Sequence, residues 1–462
     1  MAVNANGCTP RRYGLIGHPL GHSLSPFIHQ AIMEAVGIEG TYELFDVRPD
    51  DMNGLMPRIF KLLDGFNVTI PYKERVLSHV RDRHPTAACY GAANTVFDGI
   101  GYNTDGEGFL SCGIEMTGRR VLLLGAGGVS RMMGFEAAHA GALSVRILAR
   151  GAEKARRLAD DIMAETGHTD IAAIESIEQA SRPEVILNGT PLGMWPNVRG
   201  LPVPRETAAS AAIIFDSIYN PPATRLLLCG QSGGASVQGG LSMLFWQAVA
   251  AQRIWNPDAA WDHPEVRRRL SRVPSMLSRE LVRRDKVNYL FTGFMGCGKT
   301  TIGQAVADRI GLPFVDLDTR IRAFAGKSIP AIFQEDGEAA FRAMEAGLLR
   351  DTLGEPGSAV VATGGGALLQ PGAMETVDGA PALVVLLDAS LERILCRIGN
   401  QSGRPLLDGE SHNQSYALFK EREPEYARRA DLVIGNNGPE NGEVVAARIV
   451  TALGYGREGE EI

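Results

Sequence analysis

The chain has 462 residues, more than one hydrophobic core ordinarily serves, so two or three domains are expected. Hydrophobic residues make up 45% and charged residues 21%, as in soluble globular proteins, and a net charge of -7 excludes a general nucleic-acid binder, which needs a basic face. The longest apolar run, near Ala382–Leu387, is strand-sized and excludes a membrane span, and the N-terminus shows no secretion signal. The six cysteines (Cys8, Cys89, Cys112, Cys229, Cys297, Cys396) form no CxxC pair and no metal spacing, so reduced thiols in a cytoplasmic protein are expected.

Short apolar strands alternate with amphipathic helices from end to end, the pattern of α/β folds with parallel sheets. A first block, near 11–113, includes strands such as Tyr42–Val47 and Phe66–Ile70. Its Gly17–Pro26 segment sets the hydroxyls of Ser23 and Ser25 just before a helix that Pro26 can start. The run from Asn67 through Thr69 and Pro71 to Lys73 ends a strand and aims a lysine into the cleft beyond it. Gly91–Thr95, with Asn94, and Gly101–Gly106, with Asp105, add small polar groups at turns.

A second block, near 118–238, opens with strand Val121–Leu124 and the turn Gly125-Ala126-Gly127-Gly128-Val129-Ser130, followed by a helix. Strand, glycine turn and helix in that order suit the pyrophosphate of a dinucleotide. Strand Ser144–Ala149 runs into Arg150, with Lys154 one turn on. A carboxylate there would hold the free ribose hydroxyls of NAD, whereas a cation accommodates a 2′-phosphate, so NADP is expected. The alternative for Arg150 is a cap facing solvent. Asn188–Met194, with Thr190, and Asp216–Tyr219 add further turns. A long helix beginning near Gly240 and carrying Met243–Gln247 is expected to pack back on the first block. Asp262–Lys286, rich in arginine, reads as a terminal helix and a solvated tether.

A new unit starts at Val287. Strand Asn288–Thr292, the loop Gly293–Thr300 and helix Thr300–Ile310 match GxxxxGK[ST] in its proper context. Backbone N–H groups at a helix N-terminus cradle phosphate, Lys299 neutralises the β/γ oxygens of ATP, and the Thr300 hydroxyl can bind Mg²⁺. Cys297 inside the loop reads either as a small filler or as a redox-sensitive thiol. Phe314–Asp318 reads as a strand whose Asp316 and Asp318 share one face, placed to position Mg²⁺ and accept a hydroxyl proton. Arg342 lies on a helix, Gly364-Gly365-Gly366 follows the buried strand Ala359–Ala362, Arg404 falls in a polar stretch suited to a lid, and Arg422 adds another cation.

From about Lys286 to Gly454 these motifs resemble shikimate kinase. The resemblance implies that Asp318 holds the ring hydroxyls, Arg342 and Arg422 clamp the substrate carboxylate, and Gly364–Gly366 line the site. It places Gly296, Cys297, Gly298, Lys299, Thr300 and Thr301 on the phosphates, Arg404 over the transferring phosphate, Arg397 near the adenine, and Thr300 and Asp316 on the magnesium side. Asp316, Lys299 and Arg404 are then the catalytic set. Another small P-loop kinase, such as a gluconate kinase, is the alternative.

Over about Arg11–Val273 the ordered motifs resemble shikimate dehydrogenase. The resemblance implies Ser23 and Ser25 on the substrate carboxylate, and Asn67, Thr69, Asn94, Tyr219 and Gln247 along the polar edge. Lys73 and Asp105 form the catalytic dyad. Gly125, Ala126, Gly127, Gly128, Val129, Ala149, Arg150, Lys154, Asn188, Thr190, Met194 and Gly240 contact NADP(H). The chain departs from the family at Gln30, where Asn is usual, at Ala149 and Gly151 around Arg150, where Asn and Thr are usual, and at Gly239, where Asp is common.

The expected fold is α/β throughout: an α/β substrate domain (1–113, completed by helices near 239–273), a Rossmann-like NADP domain (114–238), a linker (274–286), and a P-loop NTPase-type kinase domain with a parallel sheet (287–462). The expected function is bifunctional: 3-dehydroshikimate to shikimate with NADPH, then shikimate to shikimate 3-phosphate with ATP and Mg²⁺. No nucleic-acid or membrane partner is expected, and a homodimer through the dehydrogenase half is allowed. The alternatives are a catabolic quinate dehydrogenase using NAD, and a nucleotide-binding module without turnover.

Overall fold

The computed structural model describes residues 10–21, 23–284, 286–398, 412–438 and 441–456. Its strands form three sheets. The first contains β1 (Arg11–Gly17), β2 (Gly40–Asp46), β3 (Gly65–Val68), β4 (Asp82–Arg83), β5 (Thr95–Phe97) and β6 (Ile100–Tyr102), in the order β2-β1-β3-β5-β6-β4. β1, β2 and β3 run parallel, and β5 turns antiparallel to β3. The second contains β7 (Arg120–Leu124), β8 (Ser144–Leu148), β9 (Ile171–Ile174), β10 (Val185–Asn188), β11 (Ile213–Asp216) and β12 (Ser236–Gly239), in the order β12-β11-β10-β7-β8-β9. This sheet is parallel throughout, and its strand order reverses between β7 and β10, where a doubly wound sheet opens a crevice. The third contains β13 (Asn288–Thr292), β14 (Phe314–Asp316), β15 (Val360–Ala362), β16 (Ala382–Asp388) and β17 (Leu432–Gly435), parallel in the order β14-β15-β13-β16-β17.

The central strands are near-continuous apolar runs, as sheets covered on both faces require. Val121, Leu122, Leu123 and Leu124 are buried, as are Leu383, Val384 and Val385. Burying each such side chain contributes about 1.5–3 kcal/mol.

The long helix Gly240–Trp255 does pack on the first block, against helices Ser25–Val36 and Asp105–Leu110. Its Trp255 stacks on Tyr13 at 4.7 Å, and Gly65 is demanded there, since a Cβ would lie 2.5 Å from the indole. Beside it His29, 1% exposed, stacks on Tyr42 at 4.1 Å and pairs with Gln252. Burial holds this imidazole neutral, down to about 3. The unfolded chain takes up a proton near 6.5 that the native state refuses, so stability is full above that pH and falls as the medium acidifies toward 3. Between pH 7.5 and 5.5, urea unfolding of the native chain is expected to lose about 1 kcal/mol more than that of a His29→Phe variant. Equal losses would remove His29 as the acid-sensitive group.

One expectation is corrected. Residues 274–286 are not a solvated tether: Val273–Arg284 is a helix, and Val273, Leu277 and Leu281 are buried in one cluster with Ile28, Ile32 and Phe245. Arginines face outward from it, and Arg284 donates to the Ser23 carbonyl at 3.2 Å. Among the described residues no cysteine is paired, and no helix is long and apolar enough to cross a membrane.

Candidate active sites

The first site lies between the first two sheets, in a cavity of about 710 Å³. Strand ends and the turns after them supply its polar wall. Ser23, Ser25, Asn67, Thr69, Lys73, Asn94, Asp105, Tyr219 and Gln247 all line it. Lys73 Nζ donates to Asp105 Oδ2 at 2.6 Å, and Asn94 donates to the other carboxylate oxygen at 2.9 Å. Both charged side chains are partly exposed to the cavity, 27% and 13%. Asp105 opens the helix Asp105–Leu110, whose first-turn N–H groups favour its negative charge. That helix packs tightly on the long helix, because a Cβ at Gly108 would lie 2.7 Å from the Met243 carbonyl. Asn67 is fixed by Tyr42, which donates to it at 2.8 Å, and by Thr95 at 2.9 Å.

The glycine turn after β7 borders the same cavity. Gly125 has φ +98° and no room for a Cβ, which would meet Ser130 Oγ at 2.8 Å. Gly127 and Gly128 are different: a Cβ there would meet nothing within 4 Å and would project into open space. Both line the cavity with Val129, and helix Gly128–His139 starts at the turn, so a pyrophosphate fits the space. Gly240 also lines the cavity and is sterically demanded, since a Cβ would lie 2.1 Å from Ser217 O. Ala126 lies within the turn, Ala149 and Arg150 follow the end of β8, and Lys154 sits exposed on the helix Ala152–Thr166. Asn188 is fully buried and does not face the cavity. It donates to Asp216 at 2.9 Å and accepts from the Thr190 hydroxyl at 2.7 Å, so it shapes the turn instead of offering its amide to a ligand. Met194 is 46% exposed on the loop beyond. Asp216, unassigned from sequence, is fully buried with Thr224 and Ile218 N–H donating to it, and burial pushes its carboxyl up to about 7. Gln30 lies on an exposed face, donating to Glu34 at 3.0 Å, so its departure from the usual Asn leaves the site untouched.

The second site is a cavity of about 750 Å³ on the third sheet. Gly296, Gly298, Lys299, Thr300, Thr301, Asp316, Asp318, Arg342, Gly364, Gly365, Gly366, Arg397 and Arg422 line it. Gly293, Gly296 and Gly298 adopt φ +133°, +81° and +104°, so the loop wraps a space at the N-terminus of helix Lys299–Ile310. Lys299 Nζ donates to Gly293 O at 2.9 Å and Phe294 O at 3.2 Å. Thr300 donates to Asp316 at 2.8 Å, and this hydroxyl–carboxylate pair is a hard oxygen set suited to Mg²⁺ with phosphates as further ligands. Cys297 is fully buried, which fits the filler role.

The expectation for Asp316 and Asp318 is corrected. They do not share a strand face: β14 ends at Asp316, which caps helix Leu317–Ala325 by accepting from Thr319 N at 2.9 Å, and Asp318 lies in that helix's first turn. Both still reach the cavity. Arg342 donates to Glu345 at 2.8 Å and Glu338 at 3.1 Å. Glu345, to which the sequence assigns no role, is 2% exposed and lines the cavity, and its Oε1 has no hydrogen-bond partner among the described residues. Gly364 and Gly366 make way for these groups, since their Cβ atoms would lie 2.2 Å from Glu345 Oε1 and 3.0 Å from Arg342 Nη1. Arg397 is held by Asn436 at 3.0 Å and by Cys297 O at 3.3 Å, against the back of the phosphate loop. Arg322 also lines the cavity and carried no sequence signal. Arg404 lies outside the described residues.

Fold and sites together define an oxidoreductase of the doubly wound dinucleotide class joined to a P-loop phosphotransferase. The shikimate dehydrogenase substrate-binding-domain family matches residues 15–96, and the shikimate kinase family matches residues 295–453. The shikimate dehydrogenase (NADP(+)) of Methanothermobacter thermautotrophicus is 40% identical over 253 residues, 52% of this chain and 89% of that protein. A solved chorismate mutase/shikimate 5-dehydrogenase fusion from Clostridium acetobutylicum superposes with TM-score 0.52 at 31% identity, covering 59% of this chain and 99% of that one. The shikimate 5-dehydrogenase of Thermus thermophilus, solved with NADP(H) and shikimate, gives TM-score 0.50 at 32% identity, covering 57% and 99%. The chain therefore belongs to the shikimate dehydrogenase family in its N-terminal part and carries a shikimate kinase domain in its C-terminal part. It is an enzyme in both halves.

Proposed function

We propose that the chain carries out two consecutive reactions: NADPH-dependent reduction of 3-dehydroshikimate to shikimate, then ATP- and Mg²⁺-dependent phosphorylation of shikimate at its 3-hydroxyl. The observation that carries the first is the Lys73–Asp105 pair at 2.6 Å inside a wall of hydroxyls and amides that adjoins the glycine turn. NADPH, when bound, supplies the hydride. The ring ketone gains negative charge on oxygen as hydride arrives, and the Lys73 ammonium stabilises that charge. Asp105 keeps Lys73 oriented, and the dyad delivers the proton that completes the hydroxyl. Ser23 and Ser25 orient the carboxylate.

In the second site the 3-hydroxyl attacks the γ-phosphoryl group, Asp318 accepts its proton, and ADP leaves. Arg342 and Arg422 grip the substrate carboxylate, a planar anion that guanidinium groups match well. Mg²⁺, when held by Thr300 and Asp316, would screen the phosphate charge. We propose the division into a substrate domain (1–113 with 239–273), a cofactor domain (114–238) and a kinase domain (287–462).

One vessel containing 3-dehydroshikimate, NADPH, ATP and Mg²⁺ tests the reading. Shikimate 3-phosphate is expected, with NADPH and ATP consumed in equal amounts. Consumption of only one co-substrate overturns it. The exposed cations Arg150 and Lys154 favour NADP, so quinate with NAD is expected to be the poorer pair. Faster quinate oxidation with NAD would instead identify a catabolic dehydrogenase.

A further inference from the structure

We infer that the kinase half helps to build the reductase's cofactor site: Arg199, clamped on the kinase's buried Asp431, is a positioning residue that holds the 189–200 loop in shape. The inference rests on the reading of the N-terminal half as an NADPH-dependent reductase whose Thr190 and Met194 meet the cofactor. The loop leaves β10 at Gly189, which lines the reductase cavity, and carries Thr190 and Met194. Beyond Met194 it plunges into the other half of the protein. Trp195 donates its indole N–H to the Lys286 carbonyl at 3.0 Å. Val198 is fully buried in the same hydrophobic cluster as β13 and β16. Arg199 donates to the Asp431 carboxylate and, at 2.9 Å, to Asp378.

The clamp is rigid for physical reasons. Asp431 is fully buried, and its second oxygen accepts from Arg225 at 2.6 Å. The oxygen that takes Arg199 also accepts from Val384 N, on the central strand β16, at 2.8 Å. Arg225 closes the ring by donating to the Arg199 carbonyl at 2.9 Å. A carboxylate removed from water and shared by two guanidinium groups fixes its partners far better than a surface ion pair does. The loop can transmit that constraint because its two arms are packed together: a Cβ at Gly200 would lie 2.6 Å from Gly193 N, next to Met194. Separated from the kinase half, Val198 and Arg199 would lose these partners, and the loop would lose its shape.

In the full-length chain, Arg199→Ala is expected to raise the KM for NADPH about tenfold while leaving the KM for 3-dehydroshikimate unchanged. Amide exchange over residues 189–200 is expected to quicken, with β7 unaffected, and Arg199→Lys is expected to restore part of both. If Arg199→Ala does not fold, Trp195→Phe, which removes one donor only, carries the test with a smaller rise of the same kind. An unchanged NADPH KM in a folded variant overturns the inference, whatever the loop's exchange does. Equal rises in both reductase KM values overturn it as well, because they report general damage. A native chain with no NADPH-dependent turnover overturns the reductase reading itself.

Discussion

Lys73→Ala is expected to lower the turnover of NADPH-dependent reduction about a thousandfold, while phosphorylation of added shikimate continues at the native rate. Lys73 is the cation in direct contact with Asp105, and Asn94 occupies that carboxylate's other oxygen, so the dyad has one built geometry. Removing the ammonium takes away both the charge opposite the developing alkoxide and one of the two groups that can relay its proton. The loss belongs to turnover more than to substrate binding, since Ser23, Ser25, Asn67 and Thr69 still line the pocket. Asp105→Asn is expected to cost a similar factor. The double variant should be little worse than either single one, because groups that act as a unit fail together. Steady-state rates of NADPH oxidation check this. A loss of less than about tenfold in Lys73→Ala would remove Lys73 from the chemistry.

Much of this site was legible in the sequence because the fold places it where sequence signals are densest. In parallel sheets the carboxyl ends of strands face the crevice, so several motifs that ended strands also pointed into the cavity, although Asn188 at the end of β10 does not. Asn67, Thr69 and Lys73 lie at and beyond the end of β3, and Gly127 and Gly128 lie beyond β7. Alternation misled at Asp318, because Phe-Val-Asp-Leu-Asp fits strand spacing until Asp316 is seen to cap a helix. Charge misled at 274–286, where the arginines hid Val273, Leu277 and Leu281 at helical spacing. Asp216 and Glu345 went unassigned because burial made them informative, and burial is set by residues elsewhere in the chain. The Arg199–Asp431 contact joins residues 232 positions apart, and no local pattern announces such a pair.

Lys299→Met is expected to lower shikimate phosphorylation about a hundredfold to a thousandfold and to leave the reductase untouched. Lys299 bonds to the carbonyls of Gly293 and Phe294 and lines the space that the loop encloses. Two nearby cations are already committed elsewhere: Arg397 is tied to Asn436 and Cys297 O, and Arg342 is engaged by Glu338 and Glu345. Phosphate charge would then lose the cation built into the loop itself. Retention of more than about a tenth of the native kinase rate would show that the rest of the site suffices without Lys299. The same variant tests how the halves share their intermediate. Lys73→Ala chains mixed with Lys299→Met chains each keep one working site, and every shikimate molecule must cross solution between them. On the proposed reading the two cavities would bind the same acid by different groups, hydroxyls in one and guanidinium groups in the other, so two separate encounters would be required. A lag before shikimate 3-phosphate appears is therefore expected in the mixture. If the native chain at equal site concentration shows the same lag, fusion brings the two sites together without passing the acid directly. A shorter lag in the native chain would mean that the kinase captures the acid before it escapes.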